Sequence, residues 1–160
     1  YSYGERSAVF TDGPFVIVDM PKKVTRGDLT QQGFCFFADT IKLGQDFNIV
    51  KKEGQRIILD LDRPDAVMSK IYVNDEPVKR LLWAPYCVDI TDFIKSGLNR
   101  ISIELFSGNR NLLGPHHHID GELYSVGPSS FTDKPGWADK PGTDTIWREG
   151  YCFVKFGLRK

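Results

Sequence analysis

The densest group of side chains able to do chemistry is an internal run of three histidines, His116 to His118, followed closely by Asp120 and Glu122. Imidazole and carboxylate groups are common ligands of zinc and related ions. In an extended strand, however, neighbouring side chains point to opposite faces, so only His116 and His118 could converge. Asp120 and Glu122 would lie on the same face of the strand as these two histidines. This spacing favours histidines that hydrogen-bond near the edge of a β-structure. Metal binding by His116 and His118, and hydrogen bonding to a sugar, are the alternatives.

Aromatic side chains near expected loops form a second group of candidates. The apolar C–H faces of saccharides stack on flat rings, and Trp and Tyr add a polar tip. Trp137 lies in a long expected loop, residues 129–145, and loops of that length are often functional. Sugar hydroxyl groups also need planar polar partners beside such rings. The candidate carbohydrate contacts are therefore Trp137, Trp83, Tyr86, Arg110 and Asn111.

Each of these candidates has a structural alternative. Trp83 and Tyr86 can pack as a cover over one end of a β-sandwich. Trp137 can dock against a neighbouring domain, and Arg110 and Asn111 can cap a turn beside a strand end. The residue types alone leave both interpretations open.

The acidic residues do not indicate a catalytic pair. Glycosidases use two carboxyl groups that flank the scissile bond. Here Asp60 and Asp62 alternate with Leu59 and Leu61, which is typical of a solvated strand face. No nucleophile elbow, P-loop or dinucleotide fingerprint occurs. We therefore expect no catalysis by this chain alone, and a metal-assisted hydrolase at His116 and His118 is the enzyme alternative.

No cofactor is predicted. A structural calcium ion would need several oxygen ligands in one loop. Asp39 with Asp46, or Asp62 with Asp65, could contribute, but no loop shows a regular alternation of ligands.

The bulk properties exclude several partners. The 21 basic and 21 acidic residues cancel, so the basic footprint of nucleic-acid binding is missing. No stretch approaches the roughly 20 apolar residues that span a bilayer, so no membrane partner is expected. The odd count of three cysteines indicates buried thiols rather than a disulfide framework.

Short apolar runs separated by Gly, Pro, Asn and Asp predict an all-β chain. In the two most regular runs, 69–74 and 99–106, apolar and polar residues alternate, as in an antiparallel sheet with one solvated face. Helix signals are nearly missing, and the best candidate is a single capped turn within 91–97. We predict an antiparallel jelly-roll β-sandwich of two sheets and about eight to ten strands. Its inward side chains include Ile71, Val73, Ile101, Ile103 and Leu105, and other expected strands are 15–18, 34–37, 40–43, 46–50, 56–62 and 151–156.

The most specific part of the sequence is an ordered series in its centre. The series comprises IYVNDEP (71–77), WAPYCVDIT (83–91) and IKSGLNRISI (94–103). It resembles the galactose-binding-like sugar-binding domain of family 2 glycoside hydrolases, which shares the progression V-N-G, W, P-Y, D-I-T and L-K-x-G-x-N-x-I-x-I. LTQQGFCFFA (29–38) and RNLLGPHHH (110–118) resemble blocks of large bacterial glycosidase-like proteins. Asp75, Cys35 and Asp39 replace a Gly, a Pro and a Gly of the usual patterns.

The resemblance implies a non-catalytic accessory domain of a glycoside hydrolase-like protein, because that family places its catalytic carboxylates in a separate barrel domain. The accessory domain would bind carbohydrate, support the catalytic domain, or do both. A purely structural interdomain spacer without a ligand is the alternative. We expect residues 1–160 to form a single β-sandwich domain excised from a larger multidomain protein, with a core of roughly 13–157, and other domains of that chain as partners.

Overall fold

The computed structural model describes residues 8–118, 120–123, 125–131 and 147–159. All strand pairs in these ranges are antiparallel, so the predicted all-β antiparallel class is confirmed. The jelly-roll order of two facing sheets stays a prediction. Within the described residues the strands are β1 (Ala8–Thr11), β2 (Gly27–Asp28), β3 (Thr40–Ile49), β4 (Ile58–Asp60), β5 (Met68–Val73), β6 (Glu76–Leu81), β7 (Cys87–Asp89), β8 (Gly97–Phe106), β9 (Tyr151–Val154) and β10 (Gly157–Leu158).

Helical structure in the same ranges is limited to single turns. One α-helical turn, α1 (Arg110–Leu113), accompanies three 3-10 turns at Leu29–Gln32, Thr91–Phe93 and Pro128–Phe131. The turn at Thr91–Phe93 confirms the helix signal predicted within 91–97. None of these helices is long and apolar enough to cross a membrane.

The chain divides into two compact units. The first contains the described residues of Tyr1–Thr25, Leu29–Ala38 and Asn109–Lys155, and the second those of Arg26–Asp28, Asp39–Gly108 and Phe156–Lys160. β1, β9 and α1 belong to the first unit, and the other strands belong to the second.

The second unit is built on a four-stranded sheet in the order β3-β8-β5-β6. Ile103 of β8 faces Leu43 of β3 on one side and Ile71 of β5 on the other. The five inward side chains predicted from the alternating pattern are between 0% and 9% exposed, which confirms the inward face of this sheet. Apolar residues of period two therefore form the core here, as the pattern requires.

The hairpin between β5 and β6 turns at Asn74 and Asp75, whose φ angles are 52° and 67°. Two consecutive positive φ angles are typical of a type I′ turn, which Asn and Asp tolerate better than most residues. Asp75 replaces the glycine of the pattern that the sequence resembles, and it adopts a positive φ angle of the kind that glycine tolerates.

Two predicted strands are wrong. Residues 15–18 lie in a segment without secondary structure, and residues 34–37 form turns after the 3-10 turn Leu29–Gln32. In the second case Phe34 is buried and its ring packs edge-on against Phe37, at 5.5 Å between centroids. Aromatic residues can bury themselves in a turn as well as in a strand, so their density alone does not fix an extended backbone. The predicted strand 56–62 shortens to β4, and Asp62, beyond its end, has a φ of 55°, outside the β region.

In the first unit, two side chains of α1 bind the main chain of β9: Arg110 donates to the Cys152 carbonyl oxygen at 3.4 Å, and Asn111 makes two shorter bonds. The Asn111 amide donates to the carbonyl oxygen of Val154 at 2.8 Å, and its own oxygen accepts from the Val154 N–H at 2.8 Å. This pair of bonds reproduces the contacts of a neighbouring strand. Cys152 and Phe153 of β9 are fully buried beneath it.

Candidate functional site

Trp83 lies in the exposed loop between β6 and β7. Its side chain is 73% exposed, and Leu82 beside it is 53% exposed. Trp83 therefore does not pack as a cover against the described residues, which was the structural alternative for this side chain. A large aromatic ring held in solvent is unusual for a loop residue with a purely structural role, since burial of such a ring would stabilise the fold.

The loop that carries Trp83 is fixed at both ends. Leu81 is buried and pairs with Ser69 of β5. On the other side, the Leu61 N–H donates to the Tyr86 carbonyl oxygen at 3.1 Å, and Val88 is buried in β7. The indole ring is thus presented on a short segment between two anchored strands.

Polar groups of the second unit lie beside the Tyr86 end of this loop. β4 pairs with β7, which brings exposed Asp60 opposite Cys87, next to Tyr86. Exposed Asp62 follows, and its N–H donates to the Asp60 carboxylate at 2.9 Å. We call Trp83, Tyr86, Asp60 and Asp62, together with Arg159, the Trp83 surface.

Arg159 reaches this surface through β10, because Gly157 forms a bridge with Asp65. Its guanidinium donates to Asp65 at 2.8 Å and 3.2 Å. The hydrogen bond to Asp65 raises the pKa of Arg159, and the charges of Asp65 and Asp62 add to that effect. Sequence reasoning missed Arg159, since no local pattern links the end of the chain to residues 62–65.

The Trp83 surface offers the chemistry that a saccharide requires. An exposed indole supplies a flat apolar face, and a half-buried Tyr86 adds a second ring. Carboxylates accept hydrogen bonds from sugar hydroxyl groups, and the planar guanidinium donates them.

The other motif residues have a different role. Asn74 donates to the Asn99 side-chain oxygen at 3.0 Å and to the Phe93 carbonyl at 3.1 Å. Asn99 in turn donates to the carbonyls of Lys95 at 2.7 Å and Gly97 at 2.9 Å. These bonds join the β5–β6 hairpin to the segment that leads into β8. The two asparagines therefore hold the fold together.

Asp89 caps the 3-10 turn at Thr91–Phe93. Its carboxylate accepts bonds from the hydroxyl and the N–H of Thr91, at 2.5 Å and 3.0 Å. Arg56 donates to the other oxygen at 2.7 Å and 2.9 Å. The bonds from Thr91, followed by those from Arg56, lower the pKa of Asp89 to about 2. This carboxylate is thus held in its ionised form by the turn.

A shallow depression of about 560 Å³ lies near Asp89 and is lined by Lys51, Lys52 and Arg56 among others. Two of these three cations already have partners within the fold. Lys51 donates to the carbonyls of Thr91 at 2.6 Å and Ile94 at 3.2 Å, and Arg56 pairs with Asp89. The depression is therefore a weaker candidate than the Trp83 surface.

The three histidines lie in the first unit and each ring contacts the main chain. His116 Nδ1 lies 3.3 Å from the Cys152 carbonyl oxygen, and His117 Nδ1 lies 3.1 Å from that of Gly150. The Asp120 N–H donates to His118 Nδ1 at 3.1 Å. Among the described residues, no group of three or more His, Cys, Asp or Glu side chains could hold a metal ion.

His116 and Arg110 are held in a half-buried environment. Burial lowers the pKa of His116, and the carbonyls of Cys152 and Leu112 oppose part of that change. Arg110 donates to Glu122 at 2.6 Å, with its side chain only 16% exposed. Arg110 and Asn111, both candidate sugar contacts, thus make their hydrogen bonds within the first unit.

Trp137 and most of the expected loop 129–145 lie outside the described residues. The remaining candidate contacts fall into two groups. Trp83 and Tyr86 share one loop of the second unit, while Arg110 and Asn111 share one helical turn of the first.

Comparison with known proteins gives matches to parts of glycosidases. No family model matches the chain. A curated protein of Formosa agariphila, named as an inferred beta-glucuronidase, is 29% identical over 77 residues, which is 46% of this chain. The chain spans only 6% of that relative's length.

Solved structures give similar matches. A beta-glucuronidase of Bifidobacterium dentium matches with 14% identity and a TM-score of 0.49, over 88% of this chain and 26% of that one. A beta-D-mannosidase of Dictyoglomus thermophilum matches with 18% identity and a TM-score of 0.46, over 96% of this chain and 23% of that one. A rhamnosidase of Novosphingobium matches with 22% identity and a TM-score of 0.47, over 76% of this chain and 11% of that one. Because these TM-scores lie below 0.5, the likeness carries no functional argument.

Proposed function

We propose that this chain is a non-catalytic accessory domain of a glycoside hydrolase-like protein and that it contacts carbohydrate through the Trp83 surface. In this proposal residues 1–160 form one galactose-binding-like jelly roll within a longer polypeptide. The observation that carries it is the 73% exposure of Trp83 on a loop fixed between two strands.

The physical argument rests on the ring and its neighbours. A ligand that covers the exposed indole removes a large apolar area from water, which favours binding. The anchored strands hold the backbone on both sides of Trp83 before the ligand arrives, so little backbone entropy is lost on binding. The carboxylates of Asp60 and Asp62 then orient the sugar hydroxyl groups by accepting hydrogen bonds, while Arg159 stays paired with Asp65.

Direct contact is assigned to Trp83 and Tyr86 rather than to Arg110 and Asn111. The side chains of Arg110 and Asn111 already make hydrogen bonds within the fold. Breaking these bonds would offset the free energy gained from a sugar contact. Trp137 stays a second candidate ring, as the sequence predicts.

The match to the Formosa agariphila protein supports the glycosidase context. The ordered central motif supports the galactose-binding-like subtype. Since the chain spans only a small part of that relative, the activity and the substrate of the whole protein are part of the proposal.

The test is a glycan array followed by calorimetric titration of the best ligand. Replacing Trp83 with alanine should weaken binding by at least about tenfold, which corresponds to about 1.4 kcal/mol. Leu98→Ala is the matched control, because Leu98 is 66% exposed at the opposite end of the four-stranded sheet. Saturable binding that is equal in the wild type and in Trp83→Ala would overturn the direct contact.

A purely structural interdomain spacer is the second candidate function. It is supported by the apolar segment Phe15–Met20, most of whose side chains are exposed. A complete lack of saturable glycan binding, with the fold intact, would favour the spacer over the carbohydrate-binding domain.

A further inference from the structure

Residues 15–20, Phe-Val-Ile-Val-Asp-Met, form an apolar segment of the first unit that lies in solvent. Ile17 is 103% exposed, and Val16, Val18 and Met20 are between 69% and 79% exposed. Four consecutive residues of high β-propensity are seldom left uncovered, because they would gain stability by packing in a sheet. We call residues 15–20 the bare segment.

The main chain of the bare segment also lacks a partner among the described residues. Within the described part of the chain, none of its residues takes part in a backbone–backbone hydrogen bond. A β-prone segment with unpaired N–H and C=O groups is a template for pairing with another strand. The exposed apolar side chains and the unpaired main chain therefore both indicate an added β-strand as the partner.

The bare segment is anchored at one end. The Phe15 ring packs edge-on against Tyr151 of β9, at 5.0 Å between centroids, and lies 6.1 Å from the Phe36 ring. Pro14 and Pro21 bound it on either side, and proline cannot extend a ladder of hydrogen bonds. The segment is thus a defined six-residue strip next to the β1–β9 pair.

We propose that the bare segment pairs, by β-strand addition, with a strand from another domain of the same longer polypeptide. This inference rests on the proposed function only in requiring that such a polypeptide exists. Main-chain hydrogen bonds would supply the affinity, and pockets for the alternate side chains Val16, Val18 and Met20 would supply the specificity.

The size of the segment favours a tethered partner over a second copy of this chain. Stable interfaces between separate chains use roughly 20–30 residues on each side. Six residues are far fewer. A partner domain in the same polypeptide is present at an effective concentration in the millimolar range, so a small contact is sufficient.

The test is hydrogen–deuterium exchange of the amides of residues 16–20, in the isolated 160-residue chain and in the intact natural polypeptide. We expect free exchange in the isolated chain and exchange slowed by roughly 100-fold or more in the intact protein. Two substitutions of Ile17 separate main-chain from side-chain effects. Ile17→Pro removes one N–H donor of the added ladder and should abolish the protection of Asp19, whose N–H points to the same edge, in the intact protein. Ile17→Thr keeps the N–H donor and a high β-propensity, so it should retain most of the protection against exchange.

Neither substitution should unfold the chain, because Ile17 is fully exposed and unpaired in the described structure. Equal exchange in the isolated chain and the intact protein would overturn the inference. Protection that rises with the concentration of the isolated chain would show that the bare segment pairs with a second copy of this chain instead. A natural polypeptide with no further domain would also overturn the inference. Glycan titration of Trp83→Ala is independent of these outcomes, so failure of the proposed function is recognised separately.

Discussion

Asn99 and Trp83 belong to the same sequence motif but lie in opposite environments. Asn99 is 1% exposed, and its side chain makes hydrogen bonds with Asn74, Lys95 and Gly97. Trp83 is 73% exposed, and its ring makes no aromatic contact with the described residues. A recognisable motif therefore contains two kinds of residue, those that fix a turn and those that a turn presents to solvent. Resemblance to a family identifies both kinds, and only the structure separates them.

The comparison predicts the largest loss of stability at Asn99. Asn99→Ala should lower the free energy of unfolding by about 3 kcal/mol, because Asn99 is itself buried and its hydrogen bonds with the Asn74 side chain and the Lys95 main chain would be lost. Urea denaturation measures this effect. Asn48→Ala is the control, since Asn48 is exposed on β3, and it should change stability by less than about 0.5 kcal/mol. Equal effects of the two substitutions would contradict the structural role of Asn99.

An intermediate effect is expected at Asp89, and it should depend on pH. The pKa of Asp89 falls from its ordinary value of 3.8 to about 2 in the folded chain. A carboxyl group whose pKa is lower in the folded chain than in the unfolded chain stabilises the fold at a pH above its unfolded pKa. That stabilisation disappears as the pH falls through the folded pKa. Stability should therefore decline between about pH 4 and pH 2, and Asp89→Asn should remove part of this decline. Thermal unfolding measured across that range checks the prediction, and identical profiles for the two proteins would refute it.

The smallest effect on stability is expected at Trp83. Trp83→Ala should change the free energy of unfolding by less than about 0.5 kcal/mol, because little area of the ring is buried. Denaturant unfolding of the same sample used for glycan titration measures it. A large loss of stability would show that the ring packs in solution, and the contrast with Asn99 would then disappear.

The sequence predicts well those features that depend on a local period. Ile71, Val73, Ile101, Ile103 and Leu105 are buried as expected, because alternation along a strand directly specifies which face is inward. The single turn within 91–97 is also correct, since its cap and its glycine are local signals.

The features that the sequence does not predict depend on partners distant in the chain. The bare segment has the composition of a strand, but composition does not reveal whether a pairing partner is present. The pairing of Arg159 with Asp65 joins positions that no local pattern relates. The exposure of Trp83 likewise depends on how two strands anchor the loop, which residue type alone does not determine.

Asn111 has a consequence for how the first unit meets other chains. The N–H and C=O of Val154 both bind its side chain, while the N–H of Cys152 donates to the His116 carbonyl at 2.7 Å. An incoming strand would find no available donor or acceptor at these positions, so the outer margin of β9 is closed to fibril-like stacking. The Asn111 amide and the His116 carbonyl together thus prevent a further strand from adding to that margin.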